Sequence, residues 1–319
     1  MVATAWSDKT IRWAVIGFAL LAVAGWLLPA WILNNVMFGL ARGLAVLGLL
    51  VLWRTGLVSF GHALYFGLGA YAVALLEKYA GLTDVFIKFA AAILVAGACG
   101  FLLGFVLRNY RAIFFAMLSL AFSMVLYGVL VKMEVLGSTD GFSVTQNTIF
   151  GWNPEGKYPL FCFIILACVV ALTIVQLYLK SALGFLTTAI RDNELRVEYL
   201  GYSVARAIHI KYLVSACLAG AAGGAMAMAL GQVDPDSMVN WTVSGELVFI
   251  TIMSGAGSVV APFIGAIVFE FIRTYAFEWA PQAWQLIVGG TLLAIIFFLP
   301  GGIWSLLEKP WAKKEPDNG

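Results

Sequence analysis

Apolar runs about as long as a membrane-spanning helix recur along the whole of this 319-residue sequence. A helix needs about 20 apolar residues to cross a bilayer core of about 30 Å. Hydrophobic residues make up 62% of the chain and charged residues only 11%, whereas soluble domains are about half apolar and about a quarter charged. We therefore predict an all-α, polytopic membrane helical bundle, because the composition leaves no room for a soluble domain.

About ten transmembrane helices are predicted, including short or broken ones. Basic residues are enriched in cytoplasmic loops, and their distribution here favours an even number of spans with both termini in the cytoplasm. We expect one transmembrane domain over residues 1–309, with an external loop at 132–157 and a cytoplasmic tail at 310–319. The first apolar run is long for a signal peptide and is predicted to be a retained span. The predicted spans are approximately residues 12–28, 32–52, 60–76, 86–107, 113–131, 158–179, 208–230, 244–256, 259–275 and 284–299.

The stretch from Lys180 to Lys211 is polar, carries five basic residues and separates two long apolar runs. A basic segment between spans faces the cytoplasm by the positive-inside rule. About thirty residues are far more than a connection needs. Two interpretations remain open from the residues alone: a docking element for a cytoplasmic partner, or a small surface helix lying on the lipid headgroups.

Two glycine-containing segments interrupt the apolar pattern, at Ser59–Gly69 and at Ser244–Ser258. Glycine lets helices pack closely or break, and a broken helix at membrane depth is tolerated only inside protein or beside a wet cavity. The two segments occupy comparable places in the two halves of the chain. This indicates a possible internal pseudo-repeat, as in many transporters.

Few residues suggest chemistry. The sequence from Gly151 to Lys157 fits the GxxxxGK pattern of a phosphate loop, but Tyr158 follows where Ser or Thr is needed and no strand is predicted before it.

His62 and Glu246 are polar groups at predicted membrane depth, so each is either a structural hydrogen-bonding group or part of a pathway. Glu270 and Arg273, at i and i+3, are expected to pair with each other.

Small residues and cysteines are expected to be structural. All four cysteines lie in apolar runs, and their spacing fits no zinc pattern. GxxxG spacings predict close helix contacts within the bundle. They occur at Gly39/Gly43, Gly100/Gly104 and Gly220/Gly224.

Three blocks of the sequence carry a likeness to a known family. Residues 54–71 read RTGLVSFGHALYFGLGAY, and residues 115–122 read FAMLSLAF, followed by GSTDG at 137–141. The third block contains AIRDNE at 189–194, EYLG at 198–201, SGE at 244–246 and GA at 265–266. These blocks resemble the LivM-type permease subunits of branched-chain amino acid ABC importers, and the likeness covers about residues 30–302. Departures at Phe142, Tyr199 and residues 258–262 leave the architecture intact but the substrate open.

The resemblance implies that segment 180–206 holds a cytoplasmic coupling helix docking on a separate ATP-binding subunit. The coupling residues would be Ala189, Arg191, Asn193, Glu194, Glu198 and Gly201. The translocation path or gate would include Ser59, Gly61, His62, Ser244, Gly245 and Glu246. The expected partners are a homologous LivH-type permease, two ATP-binding subunits, a periplasmic substrate-binding protein and the lipid bilayer, with no nucleic acid.

On this resemblance the chain is a non-catalytic subunit of a bacterial inner (cytoplasmic) membrane importer, with no metal and no cofactor, since partner subunits bind the ATP. The expected substrates are leucine, isoleucine and valine. The same permease type serves urea, amides, and aromatic or other carboxylates, which remain alternatives. An ion-coupled secondary carrier and a membrane-embedded enzyme are the alternatives from other classes.

Overall fold

A computed structural model describes residues 8–306 of the chain. The cytoplasmic tail predicted at 310–319 lies outside this range. Thirteen α-helices occur within it, in the order α1 Lys9–Gly25, α2 Ala30–Trp53, α3 His62–Ala80, α4 Val85–Leu107, α5 Ala112–Lys132, α6 Tyr158–Leu179, α7 Ala182–Asp192, α8 Glu194–Tyr199, α9 Val204–Leu230, α10 Pro235–Met238, α11 Trp241–Ser254, α12 Ala261–Trp279 and α13 Trp284–Phe298.

Helices α2 and α9 form the centre of the bundle. Eighteen of the 24 residues of α2 are buried, and α9 packs against α2, α3 and α4. Helix α5 and helix α13 are peripheral, because only four of 21 residues and one of 15 residues, respectively, are buried in them. Apart from Lys132 and Gln285 near the helix ends, their exposed side chains are apolar, as expected where a helix faces lipid rather than water.

Each of the ten predicted spans corresponds to a helix. Five helices within residues 8–306 are long and apolar enough to cross a membrane, namely α2, α4, α5, α6 and α9. Helix α13 is apolar but has only 15 residues, and α11 has 14, which is about 21 Å at 1.5 Å per residue. The all-α class and the polytopic character are therefore confirmed, whereas the count of ten spans stays a prediction.

The GxxxG spacings lie at close helix contacts, as predicted. A Cβ atom on Gly39 would lie 2.8 Å from the backbone of Ile267 in α12. Gly100 of α4 faces Ala216 of α9, and Gly220 of α9 faces Ala92 and Ala96 of α4. Small residues at these positions let the helix axes approach each other closely.

The predicted external loop is folded rather than extended. It contains a 3-10 turn at Glu134–Leu136 and strand β1, Phe142–Ser143, which pairs antiparallel with strand β2, Gln232–Val233. This ribbon of two residues per strand is a small departure from the all-α prediction. It arises because the loop returns over the end of α9, where its backbone groups find partners.

Lys88 of α4 holds this loop to the helices. Its side chain is fully buried, and its ammonium donates to the carboxylate of Glu77 at 2.7 Å. The same ammonium contacts the carbonyl oxygen of Gln146 in the loop. Glu77 also accepts from the backbone N–H groups of Thr145 and Gln146, at 2.9 and 3.1 Å. The loop is thereby fixed by charge-assisted hydrogen bonds, which are the stronger kind.

Both irregular segments depart from regular helix. Residues 54–61 are non-helical, so α3 begins at His62, which is fully buried. Helix α11 ends at Ser254 and is followed by Gly255, whose φ of +82° lies in the left-handed region. The two segments touch, since the N–H of Ala63 donates to Ser244 Oγ at 2.9 Å. The pseudo-repeat suggested by their positions stays a prediction.

Candidate functional site

The buried start of α3 brings several predicted path residues together. The first N–H groups of a helix have no intrahelical partners and need others when they are buried. Ser59 Oγ accepts from the N–H of Gly61 at 3.3 Å, and Ser244 Oγ accepts from the N–H of Ala63 at 2.9 Å. Both hydroxyls therefore cap a helix end inside the bundle, and Ser244 links α11 to α3.

His62 joins the same helix end to α9. Its Nε2 lies 2.7 Å from Ser215 Oγ. Close by, a Cβ atom on Gly61 would lie 2.3 Å from the carbonyl oxygen of Ser119, so the backbone of α5 passes against this turn. Three of the predicted path residues have no exposed surface in this conformation: Ser59, His62 and Ser244. Their role in a path stays a prediction.

Four charged side chains meet between α2, α11 and α12. Arg42 of α2 hydrogen-bonds Glu270 of α12 through Nη1, and its Nη2 lies 3.3 Å from Oε2 of Glu246 in α11. Arg273 of α12 reaches the same Glu246 oxygen at 4.0 Å through Nη1. We call Arg42, Glu246, Glu270 and Arg273 the charge cluster.

The charge cluster corrects one prediction. Glu270 and Arg273 were expected to pair with each other, but Glu270 pairs with Arg42, and the nearest carboxylate to Arg273 is that of Glu246. Residues at i and i+3 share a helix face only approximately, and here Arg42 fills the space beside Glu270. Sequence reasoning missed Arg42, although it is the only charged residue in the 24-residue apolar sequence of α2.

The charge cluster has a buried half and an open half. Arg42 and Glu270 are near the middles of their helices, with side chains only 8% and 5% exposed. Glu246 and Arg273 keep more surface, at 16% and 37%. Ionised groups at membrane depth are costly and mark substrate or ion pathways. Glu246 belongs to the open half, and its role in the path stays a prediction.

Segment 180–206 folds into two short helices joined at Asn193. Ser181 caps α7, and Asn193 caps α8 by accepting from the N–H of Arg196 at 3.0 Å. Glu194 forms an ion pair with Arg111, which precedes α5, at 2.6 Å. Gly201, with φ of +86°, ends this pair of helices in a left-handed turn. The segment is thereby tied to the loop between α4 and α5.

One side of this segment exposes apolar side chains. Leu195, Tyr199 and Leu200 are 64%, 89% and 71% exposed. Arg191, Asn193 and Glu198 are also exposed, whereas Ala189 is half-buried. Exposed apolar groups that cluster on a surface mark interaction sites. The six predicted coupling residues lie in or next to this surface.

Contacts between loops agree with the predicted sidedness. Three links join segments that were predicted to be cytoplasmic: Asp8 to Lys180 at 2.7 Å, Arg54 to the Ala256 carbonyl, and Arg111 to Glu194. Burial raises the pKa of Asp8, but hydrogen bonds from Lys180, Gln176 and the Thr10 N–H outweigh it, so the pKa is lowered.

The opposite end shows the same agreement. Asp84 accepts from the N–H of Phe150 at 2.7 Å, and strand β1 pairs with strand β2. All of these segments were predicted to be external.

The GxxxxGK sequence also lies at this end, where Lys157 donates to the carbonyl of Ala229 at 3.2 Å. Within residues 8–306, no three His, Cys, Asp or Glu side chains are placed to share a metal ion.

These features define a multi-pass helical membrane protein with a charge cluster inside its bundle and a pair of surface helices at one end. The chain belongs to the family described as branched-chain amino acid transport system, permease component, which it matches over residues 31–297. This match and the two relatives described next confirm the resemblance to LivM-type permeases.

Two relatives are high-affinity branched-chain amino acid transport system permease proteins LivM, from Escherichia coli (strain K12) and Salmonella typhimurium (strain LT2). Each is 28% identical to this chain over 286 residues, covering 81% of this chain and 67% of the relative. No solved structure gives a significant match.

Proposed function

We propose that this chain is a transmembrane permease subunit of an ATP-driven ABC importer for leucine, isoleucine and valine. The family match over residues 31–297 carries this proposal. Both relatives named above are permease proteins of branched-chain amino acid transport systems, which favours these substrates over urea, amides and other carboxylates. The chain itself is non-catalytic and binds no cofactor.

The importer contains a LivH-type permease, two ATP-binding subunits and a periplasmic substrate-binding protein besides this chain. It lies in the bacterial inner membrane, with ten spans and both termini of this chain in the cytoplasm. The translocation path forms between the two permeases, and Ser59, Gly61, His62, Ser244, Gly245 and Glu246 line or gate it. No nucleic acid is involved.

Coupling to ATP hydrolysis runs through α7 and α8. The exposed apolar side chains of Leu195 and Leu200 support a docking contact with a groove of the ATP-binding subunit. The Glu194–Arg111 ion pair connects this surface to α5, so that movement of the ATP-binding subunits reaches the spanning helices. Ala189, Arg191, Asn193, Glu198 and Gly201 complete the coupling surface.

Reconstitution tests the proposed function. The chain is placed in proteoliposomes with its permease partner, both ATP-binding subunits and the loaded binding protein, and uptake of radiolabelled leucine is measured. We expect uptake that requires ATP and all the subunits. Uptake by this chain alone, driven by an ion gradient, would overturn the proposal and identify the chain as a secondary carrier.

Substitution of Leu200 tests the coupling surface. Leu200→Asp removes little packing inside this chain, since the side chain is 71% exposed, but it places a charge in the proposed docking contact. We expect the ATP-binding subunits to bind the permease pair about tenfold more weakly or worse, and uptake to fall accordingly. Trp152→Asp, at a 62% exposed apolar residue of the external loop, is the matched control and should leave the binding of the ATP-binding subunits unchanged. Equal binding by the two variants would remove the docking assignment.

A further inference from the structure

The open half of the charge cluster lies on an accessible face of α11. Thr242, Glu246 and Phe249 follow each other at helical spacing, and all three keep exposed surface. Apart from its chain neighbours and the backbone of its own helix, nothing lies within 4 Å of the position that a Cβ atom on Gly245 would take, so there is open space at this point of α11. A carboxylate cannot face hydrocarbon without a large cost. This face therefore borders a wet path or a partner subunit rather than lipid.

Stability does not explain the four charges. Replacing buried ion pairs by apolar residues of similar size is often neutral or stabilising. The two contacts to Glu246 also differ, since Arg42 approaches it at 3.3 Å and Arg273 only at 4.0 Å. The cluster thus consists of a tight base, Arg42 with Glu270, and a loosely paired rim, Glu246 with Arg273.

We propose that the rim of the charge cluster binds the zwitterionic head group of the transported amino acid, an inference that rests on the proposed function. Arg273 receives the α-carboxylate, for which a guanidinium offers two parallel N–H groups. Glu246 receives the α-ammonium while it keeps its contact with Arg42. Arg42 and Glu270 act as positioning residues that hold Glu246 in place.

Charge balance supports this assignment. The cluster contains two cationic and two anionic side chains, and the head group of a neutral amino acid also carries one charge of each sign. When the head group enters, the contact between Arg273 and Glu246 is replaced by two others. Arg273 then pairs with the α-carboxylate, and Glu246 pairs with the α-ammonium. Every charge keeps a partner, so no uncompensated charge is left at membrane depth. Urea and neutral amides offer no such exchange.

Transport by the complete importer is the first test. Arg273→Gln and Glu246→Gln should each lower the rate of leucine uptake about tenfold or more, while ATP hydrolysis stimulated by the loaded binding protein continues. Arg273→Lys, which keeps the charge but loses the planar fork, should recover part of the uptake. Glu278→Gln, at an exposed residue of the same helix, is the control and should transport normally. Normal uptake by Arg273→Gln would overturn the proposal.

A labelling experiment tests binding independently of transport. Thr242→Cys places a thiol about one turn from Glu246 on its exposed face. In the assembled importer, millimolar leucine should slow maleimide labelling of this thiol, and Arg273→Gln should abolish the protection. 4-Methylpentanoate and 3-methylbutylamine, which each carry one of the two charges, should protect less than leucine. Equal protection by all three compounds, or protection that survives Arg273→Gln, would overturn the head-group site.

The two failures are distinguishable. If the unsubstituted importer shows no ATP-driven uptake of any branched-chain amino acid, the proposed function fails. If that uptake is present but the rim variants match the control in both uptake and labelling, only the head-group site fails.

Discussion

Arg42 determines how charge is arranged inside the bundle. It joins three helices, because its guanidinium contacts carboxylates on α11 and α12 while its own backbone lies in the central helix α2. The centroid of the Phe269 ring lies 5.8 Å from the guanidinium carbon of Arg42. Removing this one side chain leaves two carboxylates with fewer partners at the depth where they are hardest to hydrate.

Substitutions of Arg42 and Glu270 separate stability from function. Arg42→Met leaves the Glu270 carboxylate buried without a cation, and breaking such a pair costs about 3–5 kcal/mol. The double variant Arg42→Met, Glu270→Met removes both charges and should regain most of that stability. We expect thermal unfolding in detergent to show this recovery, while leucine uptake stays low in both variants because Glu246 has lost its positioning partner. A single variant as stable as the parent would contradict the burial argument.

Residue-level prediction fails where partners are distant in the chain. The sequence places Glu246 at membrane depth, and its role in the path stays a prediction. The partner of Glu270 was not predicted, because helical spacing indicated Arg273 and nothing in the sequence near Glu270 points to α2. Ser59 and Ser244 are path residues on the resemblance. The cap that Ser244 places on the buried end of α3 could not be predicted, because it joins Ser244 to Ala63, 181 residues away.

At the scale of helices, α3 and α9 pack so closely that only glycine fits at two points of their contact. A Cβ atom on Gly69 would lie 2.1 Å from the carbonyl oxygen of Gly220, and one on Gly223 would lie 1.7 Å from that of Phe66. Backbone atoms cannot swing aside as a side-chain end can, so any larger residue there forces the helices apart. The sequence predicted glycine-mediated packing but could not say which helices meet.

A pair of glycine substitutions tests this contact. Gly69→Ala should destabilise the protein by about 1–3 kcal/mol, the usual cost of overpacking. Gly128→Ala, in α5 with no atom within 4 Å of the new Cβ, should leave stability unchanged or raise it, because alanine favours helix over glycine. Melting temperatures of the two purified variants in the same detergent provide the measurement. Equal melting temperatures would show that α3 and α9 are not in close contact.

At the scale of the whole molecule, the connecting segments divide into two groups at opposite ends of the bundle. Apolar run lengths and loop charges predicted this division, because a bilayer imposes an alternating path on the chain. The internal folding of the loops was beyond sequence reasoning, since the pairing of strands β1 and β2 and the Lys88 contacts depend on segments brought together by the helices.

Labelling of single cysteines introduced at the two ends tests the absolute orientation. Glu155→Cys, in the exposed loop before α6, should react with a membrane-impermeant maleimide in intact cells. Arg196→Cys, exposed on α8, should react only after the membrane is permeabilised. Reaction of Arg196→Cys in intact cells would place the proposed coupling surface outside and would overturn the ATP-driven mechanism.

The buried Lys88 ammonium has a consequence for recognition at the outer end. Because it fixes residues 145–147 together with Glu77, a protein that arrives there meets a surface whose shape is already set. Little conformational entropy is then lost when the two surfaces meet, and the speed of encounter is not limited by the folding of this loop.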